Sequence, residues 1–235
     1  MLLTLIRIIM PRIDLHCHTK YSKCSNLEPN QILKACQKNN IQGVMICDHD
    51  TMKGVKAFEE ILIEKSIKTN FILIPGVEIL TNQGEILGAF LEELPTTSIF
   101  PDVAEEIRER GGLVVIPHPY DRIRRKAFKL NKNDLKFIDA IEIFNSRCIM
   151  PNGNRKALEF AEEHSMLKTS GSDAHFAVEV GRAGVSFNGT TAEELRKQLE
   201  LNEINYYGKT SPKLTHLLTI THRIKRTFRG ILKKE

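Results

Sequence analysis

Short apolar segments recur along the chain, and each is followed closely by a residue that can bind a metal. Val44–Cys47 leads to His49, and Leu113–Pro117 leads directly to His118. Three further segments follow the same pattern: Phe71–Ile74 before Glu78, Ala140–Phe144 before Asn145, and Leu167–Ser172 before Asp173. Because buried parallel strands read as continuous apolar runs, these segments predict strands of a parallel sheet.

Segments with helical spacing lie between the apolar runs. They are Pro29–Asn39, Gly54–Lys65, Asp102–Arg110 and Asn154–His164. Strand and helix alternate about every thirty residues, which is typical of βα units around a parallel sheet. In an α/β barrel the polar residues at the carboxyl ends of different strands converge on one mouth.

The first such strand end carries His16-Cys17-His18. Side chains alternate along a strand, so both imidazoles lie on one face, where one metal ion can contact both. Taken alone, the tripeptide is better explained as an ordinary surface strand. Its interpretation therefore depends on the motifs that follow.

Five motifs occur in a fixed order: His16-x-His18, Asp48-His49, Gly76-Val77-Glu78, Pro117-His118-Pro119 and Gly171-Ser172-Asp173-Ala174-His175. As a set they resemble the PHP family, the polymerase and histidinol phosphatase superfamily of metal-dependent phosphoesterases. The resemblance covers roughly residues 11–190. It implies a distorted seven-stranded (β/α)7 barrel and a metal-dependent phosphoric ester hydrolase.

The resemblance also implies the ligands. His16, His18, Glu78 and Asp173 match the family's first metal site, and Glu78 matches the carboxylate that bridges to a second metal, which His118 also binds. Nitrogen and carboxylate ligands suit Zn²⁺, Mn²⁺ or Fe²⁺. A water between two such cations is acidified and attacks phosphorus in line. For His118 a structural turn between prolines is the alternative.

A third metal site of the family corresponds to His49, His175 and Cys24. Relatives usually carry His or Asp where this chain has Cys24, and many carry His where it has Glu85. A thiolate suits Zn²⁺ better than Mn²⁺. We therefore expect two or three divalent ions, with Cys24 and Glu85 as candidate ligands. The candidate catalytic residues are His16, His18, Glu78, His118, Asp173 and His175.

Other polar residues near the motifs have two interpretations. Asp14 and Asp48 are suited to orienting a ligating imidazole, with helix capping as the alternative, and capping is favoured for Asp50. Glu142 resembles a residue that lines the family's pocket. The candidate phosphate-binding residues are Arg122, Arg124, Arg125, Asn145, Arg147 and Arg182. Arginine pairs with phosphate in bidentate fashion, although a charge run is often only a solvated face.

Composition bounds the class of protein. The 235 residues suit one domain, and 41% hydrophobic against 27% charged residues is typical of a globular chain. Five cysteines without a C-x-x-C spacing argue against a disulfide framework and favour the cytoplasm. Residues 1–10 are apolar but too short to span a membrane, and they are interpreted as a leader into the first strand.

The carboxyl-terminal residues 211–235 differ from residues 1–210, which we assign to the phosphoesterase domain. Apolar residues recur there at helical spacing among basic ones. We expect a basic amphipathic helix whose apolar face packs on the barrel, with contact to nucleic acid or an anionic membrane as alternatives.

The favoured function is hydrolysis of a nucleotide or oligonucleotide phosphate, as by a phosphatase or exonuclease. A small phosphomonoester of the histidinol phosphate type is the alternative substrate. A non-catalytic nucleic-acid-binding protein with structural metals is the alternative of another class.

Overall fold

Strands and helices alternate along the computed structural model, which describes residues 10–67, 71–121 and 123–221. The strands are β1 (Arg12–Cys17), β2 (Gly43–Ile46), β3 (Ile72–Thr81), β4 (Gly84–Ala89), β5 (Leu113–Ile116), β6 (Ala140–Asn145), β7 (Leu167–Gly171), β8 (Ala183–Ser186) and β9 (Asn205–Gly208). Between the strands lie the α-helices α1 (Pro29–Asn39), α2 (Lys53–Glu64), α3 (Phe100–Glu109), α4 (Gly153–Glu163) and α5 (Ala192–Glu200). A 3₁₀ helix spans Lys132–Phe137, and residues 213–221 are helical.

The sheet is a distorted, nearly closed barrel, which confirms the predicted fold. Its strand order is β7-β6-β5-β4-β3-β2-β1-β8-β9. A parallel bridge between Cys17 and Ala174 brings the chain after β7 beside the end of β1. Strands β1 to β3 and β5 to β7 pair in parallel, but β4, β8 and β9 pair antiparallel with their neighbours. The expectation of a parallel sheet is wrong for those three strands. For β4 the reason is that β3 turns directly into it at Asn82-Gln83 without a crossover helix.

Alternation along the strands separates two apolar layers. Val44 and Ile46 of β2 pack in a cluster that contains the buried faces of α1 and α2. Met45 and Cys47 belong to a second cluster, with Ile74 of β3, inside the barrel. Since neighbouring side chains on a strand point to opposite faces, this apolar sequence fills both layers and leaves the strand ends to polar groups.

The predicted helices are present with small shifts of their ends. α1 has the predicted bounds, with Pro29 in its first turn and a capping box between Glu28 and Gln31. The expected capping role of Asp50 is wrong. Met52 is the N-cap of α2, whereas Asp50 accepts a hydrogen bond from the backbone N–H of Leu80.

The carboxyl-terminal helix packs with the face opposite to the one expected. Within residues 213–221, Thr215 and Thr219 are buried, whereas the aliphatic side chains are exposed; they are Leu214, Leu217, Leu218 and Ile220. The barrel surface beneath this helix presents the guanidinium of Arg147, which donates to Thr219 Oγ1 over 2.7 Å, so hydroxyl groups fit it better than leucines. Residues 222–235, with the rest of the predicted amphipathic segment, and residues 1–9 lie outside the described residues. The boundary between residues 210 and 211 stays a prediction.

Two further properties concern the described residues. All five cysteines are free thiols. None of the described helices is both long enough and apolar enough to cross a membrane.

Candidate metal centre

Four potential ligand atoms converge at the carboxyl ends of β1 and β7 and within β3. The Nε2 atoms of His16 and His18 lie 3.2 Å apart. Each nitrogen lies 3.2–3.8 Å from Oε2 of Glu78 and Oδ1 of Asp173. Ligands about 2.0–2.2 Å from a tetrahedral metal are spaced about 3.3–3.6 Å from one another. All four residues are buried, and Asp173 Oδ1 has no hydrogen-bond partner among the described residues, so the donor set fits a divalent cation.

Hydrogen bonds leave both Nε2 atoms available to a metal. His16 Nδ1 lies 2.9 Å from Glu142 Oε1, which can only accept while it is ionised. His18 Nδ1 lies 3.2 Å from Ser22 Oγ, and the Ser22 hydroxyl donates to Asp48. In the neutral, metal-binding form of each ring, Nδ1 therefore carries the proton and Nε2 keeps its lone pair.

Glu142 has a role that the sequence did not reveal. One of its oxygens meets His16 Nδ1, and the other accepts from the backbone N–H of His118 and from Asn145 Nδ2, each over 2.9 Å. One carboxylate thus orients two candidate ligands. The available signal was a charged residue within the otherwise apolar run Ala140–Phe144, because a buried charge requires partners.

Glu78 faces two directions. While Oε2 points to His16 and His18, Oε1 lies 3.2 Å from Nε2 of His118. The carboxylate can therefore bridge two cations.

His118 has φ 36° and Asp173 has φ 55°, both in the left-handed region that non-glycine residues rarely adopt. Such backbone strain is concentrated at functional sites.

The third candidate set lies beside the first. Ligand atoms of His18, Cys24 and His49 lie within 4.8 Å of one another, as do those of His49, Glu78 and Glu85. Burial raises the pKa of Cys24 to about 12, so the thiol is neutral without a cation. Burial, with the charge of Glu78, raises the pKa of Glu85 to about 6.

His175 belongs to a cluster with His18 and Asp173. Its Nδ1 lies 2.8 Å from the carbonyl oxygen of Asp173, so Nδ1 donates there and Nε2 stays free. Burial lowers the pKa of His175 and also that of His49, the latter to about 4, which keeps both imidazoles neutral at pH 7. Neutral imidazole is the form that binds metals.

Charge at the first site is closely balanced. Burial alone would lower the pKa of His18, but its contacts with Asp173 and Glu78 raise it to about 9. Burial would likewise raise the pKa of Asp173, yet the charges of Arg124 and His16 hold it well below its usual range. The carboxylates are therefore ionised and neutralised by protons that a bound cation would displace.

The strand ends approach closely because of Gly171. A Cβ atom there would lie 2.3 Å from His16 Cβ and 2.8 Å from the His16 backbone nitrogen. Only glycine allows β7 to approach β1 closely enough to bring Asp173 beside His16.

Two carboxylates expected to orient imidazoles bind backbone and hydroxyl groups instead. Asp14 accepts from the backbone N–H groups of His16, Ser172 and Gly181. Asp48 accepts from the backbone and hydroxyl of Thr19 and from the Ser22 hydroxyl, so it acts on His18 only through Ser22. Both therefore hold the loops that carry the ligands.

Of the candidate phosphate-binding arginines, Arg124 reaches the site. Its Nη2 lies 2.5 Å from Asp173 Oδ2, its Nε lies 3.1 Å from Asp121 Oδ2, and 24% of its side chain is exposed. Arg125 is exposed, and Arg122 lies outside the described residues. Arg182 donates to the carbonyl oxygen of Thr210, on the flank of the barrel rather than at the cluster.

Arg147 and Asn145 have partners within the protein. Arg147 Nη1 lies 2.6 and 2.8 Å from the two carboxylate oxygens of Glu179, and both side chains are buried. Glu179 also accepts from the backbone N–H of His175 over 2.9 Å. Asn145 is fully buried and donates to Glu142 and Asp173. Both residues thus support the ligands, and we leave them out of the phosphate site.

Comparison with known proteins shows similarity to a family model and to other proteins. A family model described as PHP-associated matches residues 151–204. An uncharacterised protein of Methanocaldococcus jannaschii is 41% identical over 190 residues, which are 78% of this chain and 73% of that protein. A 5′-3′ exoribonuclease of Haemophilus influenzae is 35% identical over 71 residues, which are 30% of this chain and 24% of that protein.

A solved structure shares the fold. A two-domain protein of Bacteroides vulgatus that contains a predicted PHP-like metal-dependent phosphoesterase superposes with a TM-score of 0.70 at 16% identity, covering 86% of this chain. This chain spans 65% of that protein. The fold is thus the barrel of PHP-like proteins. The chain belongs to the same family as the Methanocaldococcus jannaschii protein, and its residues 151–204 match the PHP-associated family model.

Proposed function

We propose that this chain is a metal-dependent hydrolase of phosphate esters and that a nucleotide or oligonucleotide phosphate is its favoured substrate. The observation that carries the proposal is the group of two imidazole nitrogens and two carboxylate oxygens with contacts of 3.2–3.8 Å, next to a partly exposed arginine. Carboxylate-rich sites of this kind suit catalysis better than closed structural zinc sites.

The ligand proposal assigns the first ion to His16, His18, Glu78 and Asp173, and a second ion to Glu78 and His118. When bound, divalent ions act as Lewis acids on phosphate oxygens and lower the pKa of water. A third ion would use the neighbouring set, which comprises Cys24, His49, Glu85 and His175. Nitrogen, oxygen and one sulfur donor are compatible with Zn²⁺, Mn²⁺ or Fe²⁺.

The chain's own groups supply orientation and charge. Glu142 keeps the proton on His16 Nδ1 and holds the backbone of His118. Asp121 and Asp173 hold the guanidinium plane of Arg124, whose exposed edge is available to a phosphate. The match to part of an exoribonuclease supports the nucleic-acid end over a small phosphomonoester.

The test is product analysis on a 5′-phosphorylated oligoribonucleotide with Mn²⁺ or Zn²⁺. We expect wild type to release phosphate or nucleotides, Asp173→Asn to release neither, and the control Asp102→Asn, an exposed residue of α3, to match wild type. Hydrolysis only of small phosphomonoesters would overturn the substrate assignment. No hydrolysis of any phosphate ester by wild type, with unchanged oligonucleotide binding in Asp173→Asn, would instead favour the non-catalytic binder.

A further inference from the structure

A groove of about 850 Å³ runs along the flank of the barrel, outside the candidate metal centre. One wall is the face of α1 that includes Lys34 and Lys38, and the other is formed by residues 177, 178 and 180–182 together with the end of β9. None of the proposed metal ligands lines it. The groove nevertheless reaches Ala177, two residues after His175, so the end of the groove at Ala177 lies close in sequence to the candidate metal centre.

The groove carries charge of one sign. Five cationic side chains line it: Arg12, Lys34, Lys38, Arg182 and Lys209. No Asp or Glu is among the lining residues. Across the described part of the chain, these five form no ion pair with a carboxylate, although the protein has 29 acidic residues. A concave surface with one sign of charge concentrates the field and attracts polyanions.

Two of these cations are held in place by the protein. The guanidinium carbon of Arg12 lies 4.0 Å from the centroid of the Tyr207 ring. Arg182 donates twice to the carbonyl oxygen of Thr210, over 2.7 and 3.0 Å. Both contacts fix the side chain without neutralising its charge, which is how a binding site differs from a solvated charged face.

The other cations are spread along the groove. Lys34 and Lys38 are exposed and lie one helical turn apart on α1, which places their Cβ atoms about 5–6 Å from one another. Lys209 follows β9 on the opposite wall. A single phosphate cannot contact all five cations, but a chain of phosphates can. A flat lipid surface also fits a concave groove poorly.

We propose that this groove binds the backbone of a single-stranded nucleic acid whose end lies at the metal centre. The inference rests on the proposed function and extends it, because the groove would bind the part of an oligonucleotide that is not being hydrolysed. Proteins that bind single strands without sequence preference use a positively charged groove that follows the phosphate backbone, and this groove carries such charge. Binding can be measured without metal, so its failure is distinct from failure of the hydrolase proposal.

The experiment measures fluorescence anisotropy of a labelled single strand of about 12 nucleotides, in a buffer with chelator, over a range of salt concentrations. Wild type is compared with Lys34→Gln/Lys38→Gln. The matched control is Lys156→Gln/Lys197→Gln, which removes the same charge from exposed positions on α4 and α5 outside the groove.

We expect the groove variant to bind roughly tenfold more weakly at low salt, with the slope of log K against log salt reduced by about 1.4, since each lost contact on a single strand removes about 0.7. The control should match wild type. With metal, the groove variant should hydrolyse p-nitrophenyl phosphate at the wild-type rate. Equal weakening in both variants, or no binding by wild type, would overturn the inference. Binding to phosphatidylserine vesicles but not to the oligonucleotide, lost in the groove variant, would assign the groove to a membrane instead.

Discussion

Replacing Glu142 with glutamine should weaken metal binding without unfolding the protein. The two side chains have the same shape, but glutamine has one accepting atom and one donating group. Oε2 of Glu142 accepts from both the His118 backbone N–H and Asn145, so the amide oxygen takes that position. The amide NH₂ then points at His16 Nδ1, which must accept. His16 would carry its proton on Nε2, the atom that faces the candidate metal position.

The magnitude follows from the geometry at one ligand. Loss of a group that orients a metal-binding histidine typically costs 10–100-fold in metal affinity. That corresponds to about 1.4–2.8 kcal/mol, and inversion of the tautomer places Glu142→Gln toward the upper end. The neutral amide still satisfies His118 and Asn145 but no longer pairs with a charged His16, so we expect the free energy of unfolding without metal to fall by about 1.5–3 kcal/mol.

The assay is competition for Zn²⁺ against a chromophoric chelator, together with urea denaturation of the metal-free proteins. Glu163→Gln is the control, since Glu163 ends α4 with 69% of its side chain exposed. If Glu142→Gln binds Zn²⁺ within about twofold of wild type, the role assigned to this carboxylate is wrong. If both variants lose affinity equally, the effect is one of net charge alone.

Three further outcomes are expected. Cys24→Asp should increase activity with Mn²⁺ relative to Zn²⁺, because oxygen replaces a soft sulfur donor. Titration of activity with each metal measures this ratio, and an unchanged ratio would exclude Cys24 as a ligand. Removal of metal with a chelator should lower the midpoint temperature of thermal unfolding by about 5–10 °C, since a ligand at about 100 times its Kd stabilises the fold by about 2.7 kcal/mol. An unchanged midpoint would argue against a bound ion. Glu179→Ala should reduce the free energy of unfolding by about 3–5 kcal/mol, because it leaves the charge of Arg147 buried without a carboxylate partner. The control Glu163→Ala should have little effect, and comparable urea midpoints for the two variants would refute this prediction.

The sequence predicted the alternating strands and helices because both are local signals, whereas the barrel was implied by the resemblance of the five motifs to a known family. An apolar run such as Val44–Cys47 can fold only as a buried element, and its length favours a strand. Pro29 and the apolar spacing after it were enough to give α1 its observed bounds. The order of the motifs placed His18 and Asp173 just after strand ends, as the structure has them, whereas Glu78, expected after its strand, lies within β3.

Other features depended on contacts that the sequence does not encode locally. The antiparallel direction of β4 follows from a two-residue turn that resembles any other short loop. The role of Glu142 depends on which side chains of β1 and the His118 loop face it across the barrel. Burial alone does not predict those partners.

The carboxyl-terminal helix shows the same division between sequence and tertiary structure. Its apolar spacing predicted a helix over residues 211–235, and the described part, residues 213–221, is helical, because periodicity is a property of the segment itself. The face that packs inward was decided by the surface it meets, where buried Arg147 and Glu179 favour Thr219 over Leu217. The sequence by itself thus determined the elements and the donor types of the candidate centre. Tertiary structure decided partners and orientation, because hydrogen bonds and ion pairs form between groups distant in the chain and brought together by folding.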